Sequence, residues 1–217
     1  MAAAIAPRAT LIRADQLVAS PWKNGGGVTR EIAAGAPRAR APEGDATTAG
    51  AAYDGFAWRV SVAEVAQPGP FSRFDGIDRT LVLLSGAGMT LVEDGGARHV
   101  LDRPLDRLEF AGETPLRAEL HDGPTRDFNL MVRRGAAQGS VAAWRAGARY
   151  ELSADTALLF CVTGALTVAT SDGAAHALAA FDTLRLDGIA PGLHCIVSGE
   201  GTLLAVCLSS PHRTATT

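Results

Sequence analysis

The sequence predicts an all-β fold class with two barrels in tandem, and three observations lead to this prediction. Short runs of alternating apolar and polar residues are separated by glycine-rich turns along most of the chain. No stretch carries a sustained 3.6-residue apolar period with a cap at each end. The turn and strand signals of the first half also recur in the second half, as expected for repeated β-units such as sandwiches or jelly rolls.

The predicted strands can be placed in chain order. The first is Val28–Ile32, which alternates directly after a run of glycines. The later ones are Phe56–Val65, Thr80–Leu84, Met89–Val92, Phe128–Val132, Thr156–Val162 and Leu203–Leu208. A helical turn near Asp15–Leu17 is the strongest exception to the β pattern. Ala33–Ala52 is rich in small residues and proline and poor in large apolar ones, which predicts a long surface loop.

The internal repeat sets the predicted boundaries. Gly86 and Gly164 each end an apolar strand and lie 78 residues apart, as do Gly95 and Gly173 of two Asp-Gly turns. We therefore predict a first barrel at residues 1–135 and a second at 136–217, with the option that the N-terminal strands pair with the second barrel.

The repeat also indicates which barrel holds a site. Asp127 and Asn129 lie two residues apart on the last strand of the first copy, so their side chains share one face. The counterpart in the second copy, aligned at Thr202–Cys207, lacks both polar groups. We expect the first barrel to bind a ligand and the second to support it or to dimerise.

Composition excludes several classes of protein. The chain has 217 residues and a net charge of −3, without the basic surplus of a nucleic-acid-binding domain. No apolar run is long enough to span a bilayer, and the first residues lack the pattern of a secretory signal. The sequence thus predicts a cytoplasmic protein that binds neither nucleic acid nor membrane.

The sequence also predicts no metal and no cofactor. The three cysteines stand singly inside apolar runs, without a Cys-x-x-Cys pair, which favours buried thiols over disulfides or a zinc site. The five histidines form no closely spaced pair, although a dispersed three-ligand site is not excluded by spacing. Nucleotide-binding glycine motifs and serine-hydrolase elbows are absent from the sequence.

The most specific motif is Pro21–Glu31, in which Trp22, Lys23 and Asn24 precede three glycines. Glycine is favoured where the backbone needs a positive φ or a close approach by another group. The lysine comes before the glycines and a strand follows them, so the motif is not a phosphate-binding loop. We interpret it as one wall of a binding site. The alternative is a tight turn between two strands, which needs only one or two of the glycines.

A second polar group is predicted on the strand that follows. Arg59 and Ser61 share one face, where the planar fork of the guanidinium can clamp a carboxylate, while Trp58 and Glu64 lie on the other face. An arginine that merely faces solvent is the alternative. Gly69–Phe74 is expected to cover a barrel mouth or to be a plain hydrophobic anchor.

The charges around these motifs favour binding of an anion. Four cations stand near three carboxylates, which favours anion binding over proton transfer. The cations are Lys23, Arg30, Arg59 and Arg79, and the carboxylates are Glu31, Glu64 and Asp127.

In this order, the motifs are similar to those of the HutD/Ves family. The match covers most of the chain between about Leu11 and Val132. It is carried by Pro21–Gly26, Thr29–Glu31, Trp58–Ser61, Glu64–Val65, Gly69–Ser72, Arg79 and Gly123–Asn129. The resemblance implies a bicupin fold, an association with histidine utilisation in bacteria or with a stress-related relative, and a homodimer. It also implies binding of a small breakdown metabolite such as formylglutamate or urocanate, with no established enzymatic activity.

Motifs and resemblance together define a predicted ligand site. Its residues are Trp22, Lys23, Asn24, Gly25, Gly26, Thr29, Glu31, Trp58, Arg59, Ser61, Glu64, Arg79, Asp127 and Asn129. Lys23 and Arg59 are expected to pair with ligand carboxylates, and Asp127 and Glu64 to accept hydrogen bonds from an amide or amine. Two alternatives stay open: a cupin-type isomerase or hydrolase that uses Glu64 or Asp127 as a base, and a non-catalytic interaction protein.

Overall fold

The computed structural model describes residues 6–36 and 55–211. These residues form antiparallel strands joined by turns, with one short 3-10 helix at Ala14–Gln16, where the sequence predicts a helical turn. The all-β fold class is confirmed. No helix of the described part of the chain is long and apolar enough to cross a membrane.

The strands are numbered in chain order. They are β1 (Arg8–Ile12), β2 (Ala19–Pro21), β3 (Gly27–Gly35), β4 (Trp58–Val65), β5 (Gly69–Pro70), β6 (Ile77–Ser85), β7 (Met89–Glu93), β8 (Arg98–Leu101), β9 (Arg107–Ala111), β10 (Leu116–Leu120), β11 (Thr125–Arg133), β12 (Gln138–Arg145), β13 (Ala148–Glu151), β14 (Thr156–Thr170), β15 (Ala175–Ala179), β16 (Thr183–Asp187) and β17 (His194–Ser209).

The chain divides into two compact units. The described residues of Ala19–Ala137 form the central unit, and those of Met1–Val18 and Gln138–Thr217 form the terminal unit. The N-terminal strand belongs to the terminal unit because Arg8–Ile12 pairs antiparallel with Thr183–Asp187.

The described residues of the central unit form two sheets. One has the order β2-β3-β4-β11-β6-β9 and the other the order β5-β10-β7-β8. Leu81 and Leu83 of β6 pack in one buried cluster with Leu91 of β7 and Leu116 of β10, so the two sheets share a core. Burial of such side chains is the main stabilising contribution of each strand, at about 25 cal/mol for each Å² of apolar surface.

The terminal unit is built on one sheet with the order β1-β16-β14-β17-β12, on which β13 pairs with β17 and β15 with β14. Its long strands β14 and β17 pair antiparallel, and Gly164 faces Gly201 in this pairing. A Cβ atom on Gly164 would lie 1.9 Å from the carbonyl oxygen of Glu200, so only glycine allows this approach. The inward side chains of this sheet, including Leu159, form an apolar core.

The internal repeat is visible in the backbone of both units. Leu105 and Phe181 have positive φ angles of 76° and 69°, which are uncommon for residues other than glycine. The N–H of Leu105 donates to the carbonyl of Leu83 at 2.8 Å, and that of Phe181 donates to the carbonyl of Cys161 at 2.6 Å. In each unit, a turn residue with positive φ therefore bonds to an equivalent strand, β6 in the central unit and β14 in the terminal unit.

One sequence expectation needs correction. Ala33–Ala52 does not start as a surface loop, because β3 continues to Gly35 and pairs with β4 as far as Trp58. A bulge between Glu31 and Ala33 lets the strand continue. Gly35 is required there, since its Cβ would lie 2.2 Å from the Trp58 indole nitrogen. Residues 37–52 lie outside the described residues.

Candidate functional site

Strand pairing brings distant polar residues onto one face of the six-stranded sheet of the central unit. Ser61 on β4 lies opposite Glu31 on β3 and opposite Asn129 on β11. Met131 on β11 lies opposite both Arg59 and Arg79 in the same way. Because side chains two positions apart on a strand share a face, these residues belong to one surface. We call it the polar face, and it comprises Thr29, Glu31, Arg59, Ser61, Arg79, Asp127 and Asn129.

Arg79 is buried among aromatic rings at one end of the polar face. The residue is only 5% exposed. Its guanidinium carbon lies 4.9 Å from the ring centre of Phe110, 5.3 Å from that of Phe74 and 5.6 Å from that of Phe71. Nη1 also donates to the carbonyl of Ser72 at 3.2 Å. Cation–π contacts of this kind offset part of the cost of desolvating the charge.

Asp127 provides the opposite charge in the same interior. Burial raises the pKa of Asp127 to about 7, although the positive charge of Arg79 acts to lower it. Burial likewise lowers the pKa of Arg79 to about 10, against the attraction of Asp127. At neutral pH the guanidinium is therefore charged, while the carboxyl group is close to its titration midpoint.

Four buried polar atoms of this interior, two of which belong to Arg79 and Asp127, have no hydrogen-bond partner among the described residues. They are Nε of Arg79, Oγ1 of Thr125, Oδ2 of Asp127 and Oδ1 of Asn129. A buried polar atom without a partner costs about 1–3 kcal/mol, so such atoms rarely cluster without a reason. Together they present one strong donor and several acceptors toward the same interior, which is the arrangement that a small polar ligand would satisfy.

Arg59 and Glu31 form an ion pair on the polar face. Nε of Arg59 donates to Oε2 of Glu31 at 2.7 Å, and the arginine side chain is the more buried of the two, at 15% exposed against 50%. Arg59 thus holds a carboxylate from its own chain, where the sequence predicts a ligand carboxylate. Its position beside Ser61 agrees with the predicted shared face.

The glycine motif forms the turn between β2 and β3. Gly25 has a φ of 70°, and a Cβ on Gly27 would lie 2.3 Å from the carbonyl oxygen of Glu64. Asn24 accepts a hydrogen bond from the N–H of Gly26 at 3.0 Å, which stabilises the turn. The tight-turn alternative therefore accounts for two glycines. Lys23 and Asn24 are exposed on this turn and do not belong to the polar face.

Trp22 connects this turn to the polar face. Its indole Nε1 donates to Oγ1 of Thr29 at 2.8 Å, and its ring meets that of Phe71 edge-on at 6.4 Å. Beside the two rings lies a pocket of about 220 Å³. The pocket is lined by Trp22, Asn24, Gly26, Val65, Gln67, Pro68, Gly69, Pro70 and Phe71.

Two predicted site residues of β4 lie on the opposite face of the sheet. Trp58 and Glu64 are on the face of β4 opposite to Arg59 and Ser61, as the alternation of the strand predicts. Glu64 pairs with Arg126 at 3.4 Å on that other face. The structure does not bring Trp58 and Glu64 together with the polar face.

The sequence prediction omitted several residues of this interior. Phe71 and Phe74 belong to the loop predicted over the barrel mouth, so their aromatic character was an available signal. Thr125 lies two residues before Asp127 and would follow from the same strand period. Phe110 reaches Arg79 through the pairing of β9 with β6, for which the sequence gives no local signal.

The terminal unit has an apolar interior at the equivalent positions. The predicted alignment of the two copies is wrong by one residue. Asp127 lies opposite Leu83, as Leu203 lies opposite Cys161, so Asp127 corresponds to Leu203 and not to Thr202. Each copy has a register shift directly beside these positions, so the two strand pairings are equivalent. By the same pairing, Asn129 corresponds to Ala205 and Arg79 to Ala157, and all three counterparts lie in the apolar core.

Cys161 and Cys195 are buried free thiols, and burial raises the pKa of each to about 11, so neither resembles a reactive nucleophile. Within residues 6–36 and 55–211, no group of three or more His, Cys, Asp or Glu side chains is placed to hold a metal ion.

Comparison with known proteins identifies the family. The HutD family model matches residues 14–205 of the chain. The chain belongs to the HutD family. An uncharacterized 21.2 kDa protein in the hutC 3' region of Pseudomonas putida is 34% identical over 178 residues, which cover 82% of this chain and 86% of that protein. Protein Ves of Cronobacter sakazakii is 40% identical over 121 residues, 55% of this chain and 58% of that protein.

A solved structure of a HutD family member has the same fold. HutD from Pseudomonas fluorescens, determined in a formate condition, is 32% identical and superimposes with a TM-score of 0.76 over 94% of this chain and 99% of that chain. A more distant match, PhpD with cadmium, is 11% identical with a TM-score of 0.67 over 98% of this chain and 81% of that chain, and it shows likeness of fold alone.

Proposed function

We propose that the polar face of the central unit binds a small metabolite that carries both a carboxylate and an N–H donor. The observation that carries this proposal is the cluster of buried atoms without partners. Nε of Arg79 is a charged donor that suits a carboxylate, whereas Oδ2 of Asp127 and Oδ1 of Asn129 are acceptors that suit N–H groups. A ligand with both groups would satisfy all three.

The family supports histidine breakdown as the source of this metabolite. One relative lies in the hutC 3' region, and the HutD structure from Pseudomonas fluorescens was determined in a formate condition, formate being the simplest carboxylate. Formylglutamate has two carboxylates and a formamide N–H, and urocanate has one carboxylate and an imidazole N–H. We propose these two as candidate ligands, and a role for the protein in tempering histidine utilisation by binding one of them.

Isothermal titration calorimetry with formylglutamate and urocanate tests the proposal. Arg79→Lys retains a positive charge but loses the planar fork, and it is expected to weaken binding about 10- to 100-fold, the range for a charge-assisted hydrogen bond of about 1.5–3 kcal/mol. Arg126→Lys is the matched control, because Arg126 is on the neighbouring strand β11 but on the other face of the sheet, where it pairs with Glu64. Its affinity should stay within about twofold.

The same titrations decide against the proposal if neither compound binds. If wild-type protein shows no measurable heat of binding and no thermal stabilisation with either compound, the hypothesis of a non-catalytic interaction protein is favoured. Equal losses of affinity in Arg79→Lys and Arg126→Lys would place the binding site away from the polar face. A repeat of the titration in the presence of a chelator separates metal-dependent from metal-independent binding.

A cupin-type enzyme is the second candidate, and one observation favours it. Burial raises the pKa of Asp127 to about 7, a value suited to a general base at neutral pH. Glu64, the other predicted base, lies on the opposite face of β4. This candidate predicts turnover of a bound carboxylate with a pH–rate profile that rises through about pH 7, and complete loss of turnover in Asp127→Asn. Binding without turnover would leave the binding function alone.

A further inference from the structure

Phe71 lies between the pocket and the polar face. Its side chain lines the pocket of about 220 Å³, and the same ring lies with its centre 5.6 Å from the guanidinium carbon of Arg79. The backbone N–H of Phe71 donates to the carbonyl of Leu116 at 2.8 Å, which anchors the loop at this residue.

Trp22 is the second aromatic residue that contacts both the pocket and the polar face. Its ring also lines the pocket, and its Nε1 bonds to Thr29, a member of the polar face. The rings of Trp22 and Phe71 meet edge-on with centres 6.4 Å apart. An edge-on aromatic pair is worth about 0.5–1.5 kcal/mol beyond its buried area, so contact between the two rings is favourable but readily broken.

We propose that the pocket is the entrance to the polar face, and that Trp22 and Phe71 together form the gate between them. None of the described residues that line the pocket is charged, so its walls do not compete with Arg79 for an incoming carboxylate. Parting of the two rings opens a path past Phe71 toward the guanidinium. The gate depends on the proposed function only for the identity of the molecule that passes through it.

The gate can be tested without any metabolite. Ser61 is 2% exposed and lies on the polar face, so the thiol introduced by Ser61→Cys reports access to that interior. Its alkylation by iodoacetamide is followed by mass spectrometry of the modified peptide. The native thiols of Cys161 and Cys195, which are buried in the terminal unit, serve as internal references for general unfolding.

Removal of either gate ring should increase the alkylation rate. Adding Phe71→Ala or Trp22→Ala to Ser61→Cys is expected to accelerate modification about tenfold, because the edge-on contact no longer holds the gate closed. Gln67→Ala is the matched control, since Gln67 lines the same pocket but has no ring in the pair, and it should change the rate less than twofold. Phe71→Leu keeps an apolar side chain for folding and should give an intermediate rate.

Three results would overturn the gate. The first is an unchanged rate in the Phe71 and Trp22 variants, and the second is equal acceleration in Gln67→Ala. The third is a parallel rise in the modification of Cys161, which would indicate general opening of the protein. If gating is confirmed while calorimetry detects no binding of formylglutamate or urocanate, the proposed ligands fail and the gate stands. With a bound ligand, Phe71→Ala should raise both association and dissociation rates more than it changes the affinity.

Discussion

Replacement of Asp127 by asparagine should make the protein more stable at neutral and alkaline pH. Asp127 is 1% exposed, and burial raises its pKa from 3.8 to about 7. The folded protein therefore holds this proton more tightly than the unfolded chain does. The free energy of unfolding must then fall as the pH rises from about 4 to about 7, because ionisation is easier in the unfolded state. Asparagine has nearly the shape of the protonated carboxyl group but does not ionise.

The size of the effect follows from the same pKa. A rise from 3.8 to about 7 corresponds to roughly 4 kcal/mol, at 1.36 kcal/mol for each pH unit. The attraction of Arg79 for the ionised carboxylate is already contained in this value, since it opposes the effect of burial. The variant should thus match the wild type near pH 4 and exceed it by roughly 4 kcal/mol at pH 8.

Urea denaturation of both proteins between pH 5 and pH 8 measures this difference, and groups that titrate equally in both proteins cancel. Asp182→Asn is the control. Burial raises the pKa of Asp182, but hydrogen bonds from the backbone of Ala14 and Ala179 and from Arg13 outweigh it and lower the pKa overall. Asp182 is therefore ionised in both states throughout this range, and its variant should differ from the wild type by a constant amount.

A difference for Asp127→Asn that stays constant across the range would contradict this prediction. A variant that loses stability relative to the wild type as the pH rises would contradict it as well. Either result would show that Asp127 is ionised in the folded protein well below pH 7, so that the charge of Arg79, and not burial, controls it.

Three further predictions concern the turn and the ion pair. Gly27→Ala should lower the melting temperature by several degrees, since its Cβ would lie 2.3 Å from the carbonyl of Glu64 and such overpacking costs about 1–3 kcal/mol. Gly69→Ala is the control and should change the melting temperature little, because its Cβ would have nothing within 4 Å. Equal effects of the two substitutions would contradict this packing. Glu31→Gln should cost less than about 1 kcal/mol in urea denaturation because half of the Glu31 side chain is exposed, and a larger loss would mean that the pair is effectively buried. Lys23→Ala should leave metabolite affinity in calorimetry within about threefold, because Lys23 is exposed on the turn; a tenfold loss would restore it to the site.

The sequence by itself determined which side chains can share a face. The period of two along a strand depends only on local backbone geometry, so the common face of Asp127 and Asn129, and that of Arg59 and Ser61, could be read without a structure. The same local rule separated Trp58 and Glu64 from Arg59. The repeat was also available, because turns formed by glycine leave a signal in the sequence.

Only the tertiary structure decided which strands are neighbours, and with them the composition of the site. Placing β11 between β4 and β6 joins Arg59, Arg79 and Met131, which come from separate parts of the chain. The pairing of β9 with β6 then brings Phe110 to Arg79. The raised pKa of Asp127 and the lowered pKa of Arg79 arise from burial, which depends on all the surrounding strands at once. A local pattern specifies the direction of a side chain, but its partners and its distance from water are set by contacts between residues far apart in the sequence.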